Sequence, residues 1–397
     1  MVLNKEKKSS EIWFLLSVLF IIYITDSLMF ATNSNSLFIM AKRFLPILVA
    51  AFLLLKVQTI DLTIILVSFS ILLSAFFAGK ILDGYFYFTE IGLLIFAYYY
   101  SKLVSFEKFA DMFIKLMRII AIVSLFGFAF SSIIRQASFI PTIINTVGNT
   151  YKTLILTSVP TSASLARRNV GPFWEPGAYQ FYLNMALLFT VYRKPKKWML
   201  DALLFSATAV TTMSGAAILP IPFILIAFFW DARFKHADKY IAFALMLTVS
   251  IVVLYYAGLF DEILVKLSFA ENESNSAGFR IGSAIANIRS TLAYPLFGAS
   301  PEYQDAIRAE VIESLNGHST EGNTNTFFGF FSYFGIFVGS YFAYRLYKFT
   351  SCFSDKTFSR ISIFLAIFLA TSNENFITSI ILIVFMFLKK EGKTEKI

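Results

Sequence analysis

Residues Arg167–Gln180 read Arg-Arg-Asn-Val-Gly-Pro-Phe-Trp-Glu-Pro-Gly-Ala-Tyr-Gln and run without interruption into the apolar stretch Phe181–Tyr192. A helix that is apolar all round belongs in a core or a membrane. Its rim here carries two guanidinium groups (Arg167, Arg168), one carboxylate (Glu175), an aromatic pair and two Gly/Pro turns. A planar guanidinium binds two oxygens at once, so tandem arginines at such a rim predict phosphate or carboxylate recognition. Glycines permit close backbone approach and prolines fix it, so the turns around the arginines are expected to shape that site.

The whole chain fits a membrane setting. Of its 397 residues, 57% are hydrophobic and 15% charged, with 47 Phe and 19 Tyr. Soluble domains carry roughly 25% charged residues, which predicts one polytopic membrane domain over residues 1–397. The formal net charge of +9 is assigned to basic loops that set orientation, not to nucleic acid, because no basic-aromatic strand pattern is present. A single cysteine, Cys352, excludes an intramolecular disulfide and a cysteine-based metal cluster. With His236 and His318 the two histidines, no metal site and no cofactor are expected. A Mg²⁺ ion carried by carboxylates and substrate phosphate stays open. Lys5, Lys7 and Lys8 before Ile12–Thr25 resemble a signal peptide, but the apolar runs that follow favour an uncleaved first span.

A membrane helix needs about 20 apolar residues. Twelve segments meet or approach that: 12–30, 44–56, 58–78, 84–101, 109–130, 176–192, 199–213, 216–230, 239–258, 327–347, 357–371 and 375–388. Within 199–230, Thr211-Thr212-Met213-Ser214-Gly215 reads as a turn or a helix break. Non-helical backbone at depth survives where protein or water satisfies it, so a cavity is expected beside it. Short loops at residues 1–8, 102–108, 193–197, 233–235, 345–356 and 389–396 carry most of the Lys and Arg. The positive-inside tendency puts that side, with both termini, in the cytoplasm. The long loops 131–175 and 259–326 then lie outside, and long loops in compact proteins are usually functional. Both are expected to carry helical pattern. Ser300-Pro301-Glu302 is a good helix start, and Tyr303, Ile307, Val311 and Leu315 recur every four residues up to Gly317, predicting an amphipathic surface helix.

Candidate chemistry concentrates in these two loops. Tandem Arg167 and Arg168 either bind lipid headgroups or form a built anion site. Glu175 is either the acidic start of the next helix or a general base. In the second loop, Arg280 and Arg289 are nine positions apart, on opposite faces of a helix of about 3.6 residues per turn. Arg280, flanked by Gly278 and Gly282, is the one chosen for a site. The polar run 317–326 contains His318, Glu321, Asn323 and Asn325. Ionisable residues within the spans are few, including Asp26, Glu90, Asp111, Lys115 and Arg118. An ion-coupled transporter brings more charge to mid-membrane.

Four segments together resemble the Wzy-type polysaccharide polymerases, relatives of the O-antigen ligases. They are 168–179, entering a helix; Thr211–Ala216, similar to the family's Thr/Ser-Gly break; Phe279-Arg280 followed by Tyr294-Pro295-Leu296-Phe297-Gly298-Ala299-Ser300; and Asn323-Thr324-Asn325-Thr326-Phe327 leading to Ser332-Tyr333-Phe334-Gly335-Ile336. The resemblance implies an all-α, GT-C-like fold in the bacterial cytoplasmic membrane. It implies a metal-independent glycosyltransferase that joins polyprenyl-diphosphate-linked repeat units at the outer face, with a chain-length regulator as a further expected partner. Arg167, Arg168, Arg280, Asn323 and Asn325 would bind diphosphate and sugar, and the base would be Glu175, His318 or Glu321. The ligases place a His directly before an Asn where this chain has Thr324-Asn325, which favours polymerase over ligase. A lipid-linked oligosaccharide flippase is the reading from another class.

Overall fold

The computed structural model describes residues 2–33, 35–57, 61–77, 85–146, 148–162, 165–214, 218–231, 276–314, 323–372 and 374–391. The fold is mainly helical, and described helices overlap eleven of the twelve segments expected from sequence. The segment 239–258 lies outside the described residues. Among the described residues, three helices are long and apolar enough to cross a membrane: Ser36–Val57, Phe106–Ala129 and that beginning at Thr326. Four shorter apolar helices accompany them: Leu62–Phe77, Trp198–Thr211, Pro220–Asp231 and Thr357–Thr371. Large apolar side chains on Ser36–Val57 and Leu62–Phe77 face outward, among them Phe52, Leu55, Leu62 and Phe69. Exposed apolar surface of this extent on each of these helices suits a lipid-facing protein.

The chain divides into two compact units, each assembled from separated segments. The first comprises Met1–Gln58, Phe96–Ile218 and Ser379–Ile397; the second comprises Thr59–Ile95 and Leu219–Thr378.

The first unit is built around Pro176–Arg193, the helix announced by the opening stretch. Every residue from Pro176 to Val191 is buried, as an all-round apolar helix requires. Phe113, Phe189 and Phe385, from three helices, meet edge to face with centroids 5.2–6.0 Å apart. Each buried ring contributes about 2 kcal/mol through area alone. Two arginines beside this core are paired with carboxylates. Arg118 grips Asp201 through Nε and Nη2 at 2.6 and 2.7 Å, and Arg193 grips Asp111 the same way at 3.0 Å. Asp111 therefore pairs with Arg193, not with the Lys115 one turn away.

The loop 131–175, expected to carry helical pattern, does so among the described residues only at its start. After the six-residue helix Ser131–Gln136, it folds as a three-stranded antiparallel sheet, β1 (Thr142–Ile144), β2 (Thr150–Thr153) and β3 (Ser158–Pro160). Thr, Ile, Tyr and Val dominate these strands, and such residues fit a pleated surface better than a helix. Tyr151, fully buried, anchors β2 by donating to the Trp174 carbonyl at 2.7 Å.

In the second unit, Ser276–Ala293 packs beside Pro301–Ser314 and beside Thr326–Phe349. Thr326–Phe349 is broken at Gly335, whose φ of 79° and ψ of 178° are not helical. Pro220–Asp231 packs along Thr357–Thr371, where Ser359 donates to Asp231 at 2.7 Å.

Candidate functional site

In each unit, a loop singled out from sequence docks onto a helix break; the break after Thr211 was expected, whereas the one at Gly335 falls inside the segment 327–347 read as a single helix.

In the first unit, Arg168-Asn169 sits on the Thr211–Met213 break. Asn169 N–H donates to the Thr211 carbonyl at 3.0 Å, and Arg168 Nε donates to the Thr212 carbonyl at 3.1 Å. The Asn169 side chain donates to Thr211 Oγ1 at 3.0 Å and Ser124 Oγ at 3.3 Å, and accepts from Gly171 N–H at 3.0 Å. Carbonyls freed at a helix end need partners. Protein backbone and guanidinium supply them here, where the sequence led us to expect a cavity. Gly171 follows at φ 55°, and a Cβ there would lie 2.8 Å from the Tyr179 ring. That ring is itself fixed, its hydroxyl 2.7 Å from Ser124 Oγ. Leu28 N–H closes the loop onto the Pro172 carbonyl at 2.9 Å. A recess lined by Phe128, Ser131, Ser158, Pro160, Arg168 and Asn169 opens beside the arginine. Arg135 crosses its edge to the carbonyls of Pro160 and Ala166.

The remaining predicted residues of this loop differ in setting. Arg167 is exposed, whereas Arg168 and Glu175 are half-buried. Glu175 occupies the N-cap position of Pro176–Arg193 in extended conformation, without a side-chain hydrogen bond to the helix. Asp26, noted in sequence for its depth, is fully engaged: it accepts from Tyr182 and Ser379 hydroxyls, each at 2.5 Å. That triad ties the first helix to two others within the unit and reads as structural.

In the second unit, Tyr294–Ser300 sits on the break at Gly335. Ala299 N–H donates to the Ser332 carbonyl and Ile336 N–H to the Pro295 carbonyl, both at 2.8 Å. Gly298 and Gly335 have φ of 77° and 79°. A Cβ on Gly335 would lie 2.1 Å from the Leu296 carbonyl oxygen, and one on Gly298 would lie 2.4 Å from the Tyr333 carbonyl carbon. Both glycines are therefore required by conformation and by approach. Gln304 reinforces the joint, its amide donating to the carbonyls of Ala299 and Ser332 at 2.9 and 3.1 Å.

Beneath this joint lies a buried polar cluster. Arg280, Ser283, Asn287 and Ser290 recur at three- and four-residue spacing, hence on one face of Ser276–Ala293. Ser283, Asn287 and Ser290 are almost fully buried and Arg280 is half-buried. Asn287 donates to Asn323 Oδ1 at 3.0 Å and to the Asn325 carbonyl at 3.3 Å, while its own Oδ1 accepts from Ser332. Asn325 caps Thr326–Phe349, accepting from Phe328 N–H at 3.0 Å. The two asparagines chosen as substrate ligands thus also hold the chain that presents the site. Arg289, on the opposite face, is about half exposed and pairs with Glu310 at 3.7 Å. His318 and Glu321 lie outside the described residues.

Sequence reading overlooked Arg308. Its acidic neighbours on Pro301–Ser314 masked it as part of a solvated helix, yet its side chain is 5% exposed. Nη1 donates to Asp305 at 2.7 Å. Asn323 and Arg308 both flank the Tyr333 hydroxyl.

Among the described residues no three His, Cys, Asp or Glu side chains gather as a metal site would need. Comparison with known proteins found no matching family model, no matching curated protein and no matching solved structure.

Proposed function

We propose that this membrane protein is a glycosyltransferase of the polysaccharide-polymerase type, acting at the outer face of a bacterial cytoplasmic membrane with both termini inside. Its substrate is a polyprenyl-diphosphate-linked oligosaccharide repeat unit, and the growing glycan passes to the terminal sugar hydroxyl of an incoming unit. The observation that carries the reading is the pairing of motifs. The four segments that resemble the Wzy-type polymerases meet in pairs: Arg168-Asn169 is hydrogen-bonded to Thr211-Thr212, and 294–300 to 332–336.

Chemically, Arg168 or Arg280 would hold and neutralise the diphosphate as it leaves, since charge developing on a leaving group is stabilised best by donors already in place. A diphosphate departs without protonation, so the second carboxylic acid used by glycosidases is not required. The attacking hydroxyl would lose its proton to Glu175, His318 or Glu321, and a chain-length regulator would act as a protein partner.

Deletion of the gene followed by gel analysis of the surface glycan tests the proposal. A polymerase deletion leaves single repeat units and no ladder. Polymer accumulating on the lipid carrier would establish a ligase instead, and repeat units trapped inside would establish a flippase.

A further inference from the structure

Three arginines show how this protein uses a guanidinium. Arg118 and Arg193 each present the edge formed by Nε and Nη2 to a carboxylate, one nitrogen per oxygen. In that side-on geometry two parallel N–H···O bonds bind a planar or tetrahedral oxyanion. Arg308 presents the same edge, but its Asp305 partner occupies the other nitrogen, Nη1. Nε and Nη2 of Arg308 are buried and make no hydrogen bond of normal geometry among the described residues; the Tyr333 hydroxyl is the nearby polar group, and a neutral phenol leaves the charge of this edge unbalanced. A buried donor without a partner costs about 1–3 kcal/mol, and more when charged, so a guanidinium edge held this way points to a ligand.

The surroundings fit an oxyanion. The Asn323 amide nitrogen is likewise buried without a hydrogen bond of normal geometry among the described residues, and the other atom of the same amide, Oδ1, is fixed by Asn287 and by Asn325 N–H. Tyr333, beside both Arg308 and Asn323, offers a third donor. Asp305 balances the charge from its exposed side, 70% open to solvent, so it does not compete for the inner edge. Three elements deliver these donors: the helix Pro301–Ser314, the segment 323–325 and the broken helix Thr326–Phe349. The docked loop 294–300 and Gln304 fix the last of them.

We infer that Arg308, Asn323 and Tyr333 form a buried oxyanion-binding subsite, gripping two oxygens of a substrate phosphate or of an acidic-sugar carboxylate through the Nε–Nη2 edge. The subsite rests on the glycan-polymerase reading for the identity of its ligand, not for its existence. It assigns Arg308 a binding role that Arg289, one helix away and solvent-facing, lacks.

The test uses the full-length protein in lipid nanodiscs and measures binding of two probes, polyprenyl diphosphate and glucuronate. Arg308→Lys keeps the charge and removes the fork. Asn323→Asp keeps the acceptor oxygen and places a carboxylate against the guanidinium, occupying its edge from within. Both variants are expected to weaken one of the probes about 10-fold or more, whereas Arg289→Gln leaves both affinities unchanged. Weakened diphosphate binding identifies a phosphate subsite, and weakened glucuronate binding identifies an acidic-sugar subsite. Wild-type protein that binds neither probe, or Arg308→Lys and Asn323→Asp proteins that bind both as tightly as wild type, would overturn the inference. Because the readout is binding, a deletion strain that keeps its glycan ladder would defeat the polymerase reading and leave this result standing.

Discussion

The two units solve one structural problem with different materials. Each breaks a helix and covers the break with a loop rich in Gly and Pro. In the first, the cover is a side-chain device: the Asn169 amide touches Ser124, Thr211 and Gly171 at once, and Arg168 donates to Thr212. In the second, the cover is backbone on backbone, with two glycines in left-handed conformation and carbonyl oxygens where a Cβ would stand. Side chains can be replaced and partly rescued, whereas a backbone joint tolerates almost nothing. The difference also decides what the arginines are free to do. Arg168 already serves its own chain, while the inner edge of Arg308 does not.

The largest effect expected concerns function. Arg168→Ala and Arg280→Ala should each abolish the glycan ladder on a gel, at protein levels matched by immunoblot. Wild-type laddering by both variants would remove the proposed diphosphate-binding role of these arginines.

Gly335→Ala sharpens the comparison most on the stability side. The new methyl meets the Leu296 carbonyl and the residue keeps a positive φ, so a loss of about 4 kcal/mol or more is expected. Fluorescence-detected size exclusion after heating would reveal it as collapse of the folded peak. An unshifted melting temperature would mean that the 294–300 loop does not fix the break.

Asn169→Ala should cost less, about 3 kcal/mol for three lost hydrogen bonds at about 1 kcal/mol each. Asn169→Asp, which keeps the acceptor for Gly171 N–H, should recover part of the loss in the same melt. Gly171→Ala comes next at about 2 kcal/mol, because its obstacle is the Tyr179 ring and not backbone. Tyr179→Leu in that background should relieve the clash in a double-mutant cycle, and strict additivity would contradict the geometry. Smallest is Arg289→Ala, within about 0.5 kcal/mol and with an unchanged ladder, since an exposed pair contributes little.

Much of this was legible in the chain itself. Apolar run length placed the helices closely; Thr357–Thr371 is found at the residues expected. Nine-residue spacing separated Arg280 from Arg289, and helix-start residues located Pro301–Ser314. The sheet at 142–160 escaped notice because its strands are three or four residues long, too short for a period of two to stand out. Arg308 escaped for another reason. On a helix bearing Glu302, Asp305, Glu310 and Glu313, a lone arginine reads as one more solvated charge.

Sequence alone determined the membrane class, the positions of nearly all the helices and the presence of special backbone at 168–172 and just after Thr211, whereas the break at Gly335 lies inside a segment that reads as one helix. The properties that sequence determined are local: hydropathy over a turn or two, and the φ range that Gly and Pro impose. What the tertiary structure decided is which loop covers which break and which charged groups the chain itself satisfies. Partners such as Asn169 with Thr211, or Ala299 with Ser332, lie tens of residues apart. Whether a guanidinium edge ends against a carbonyl or is left without a well-formed hydrogen bond depends on that packing, which no local pattern encodes.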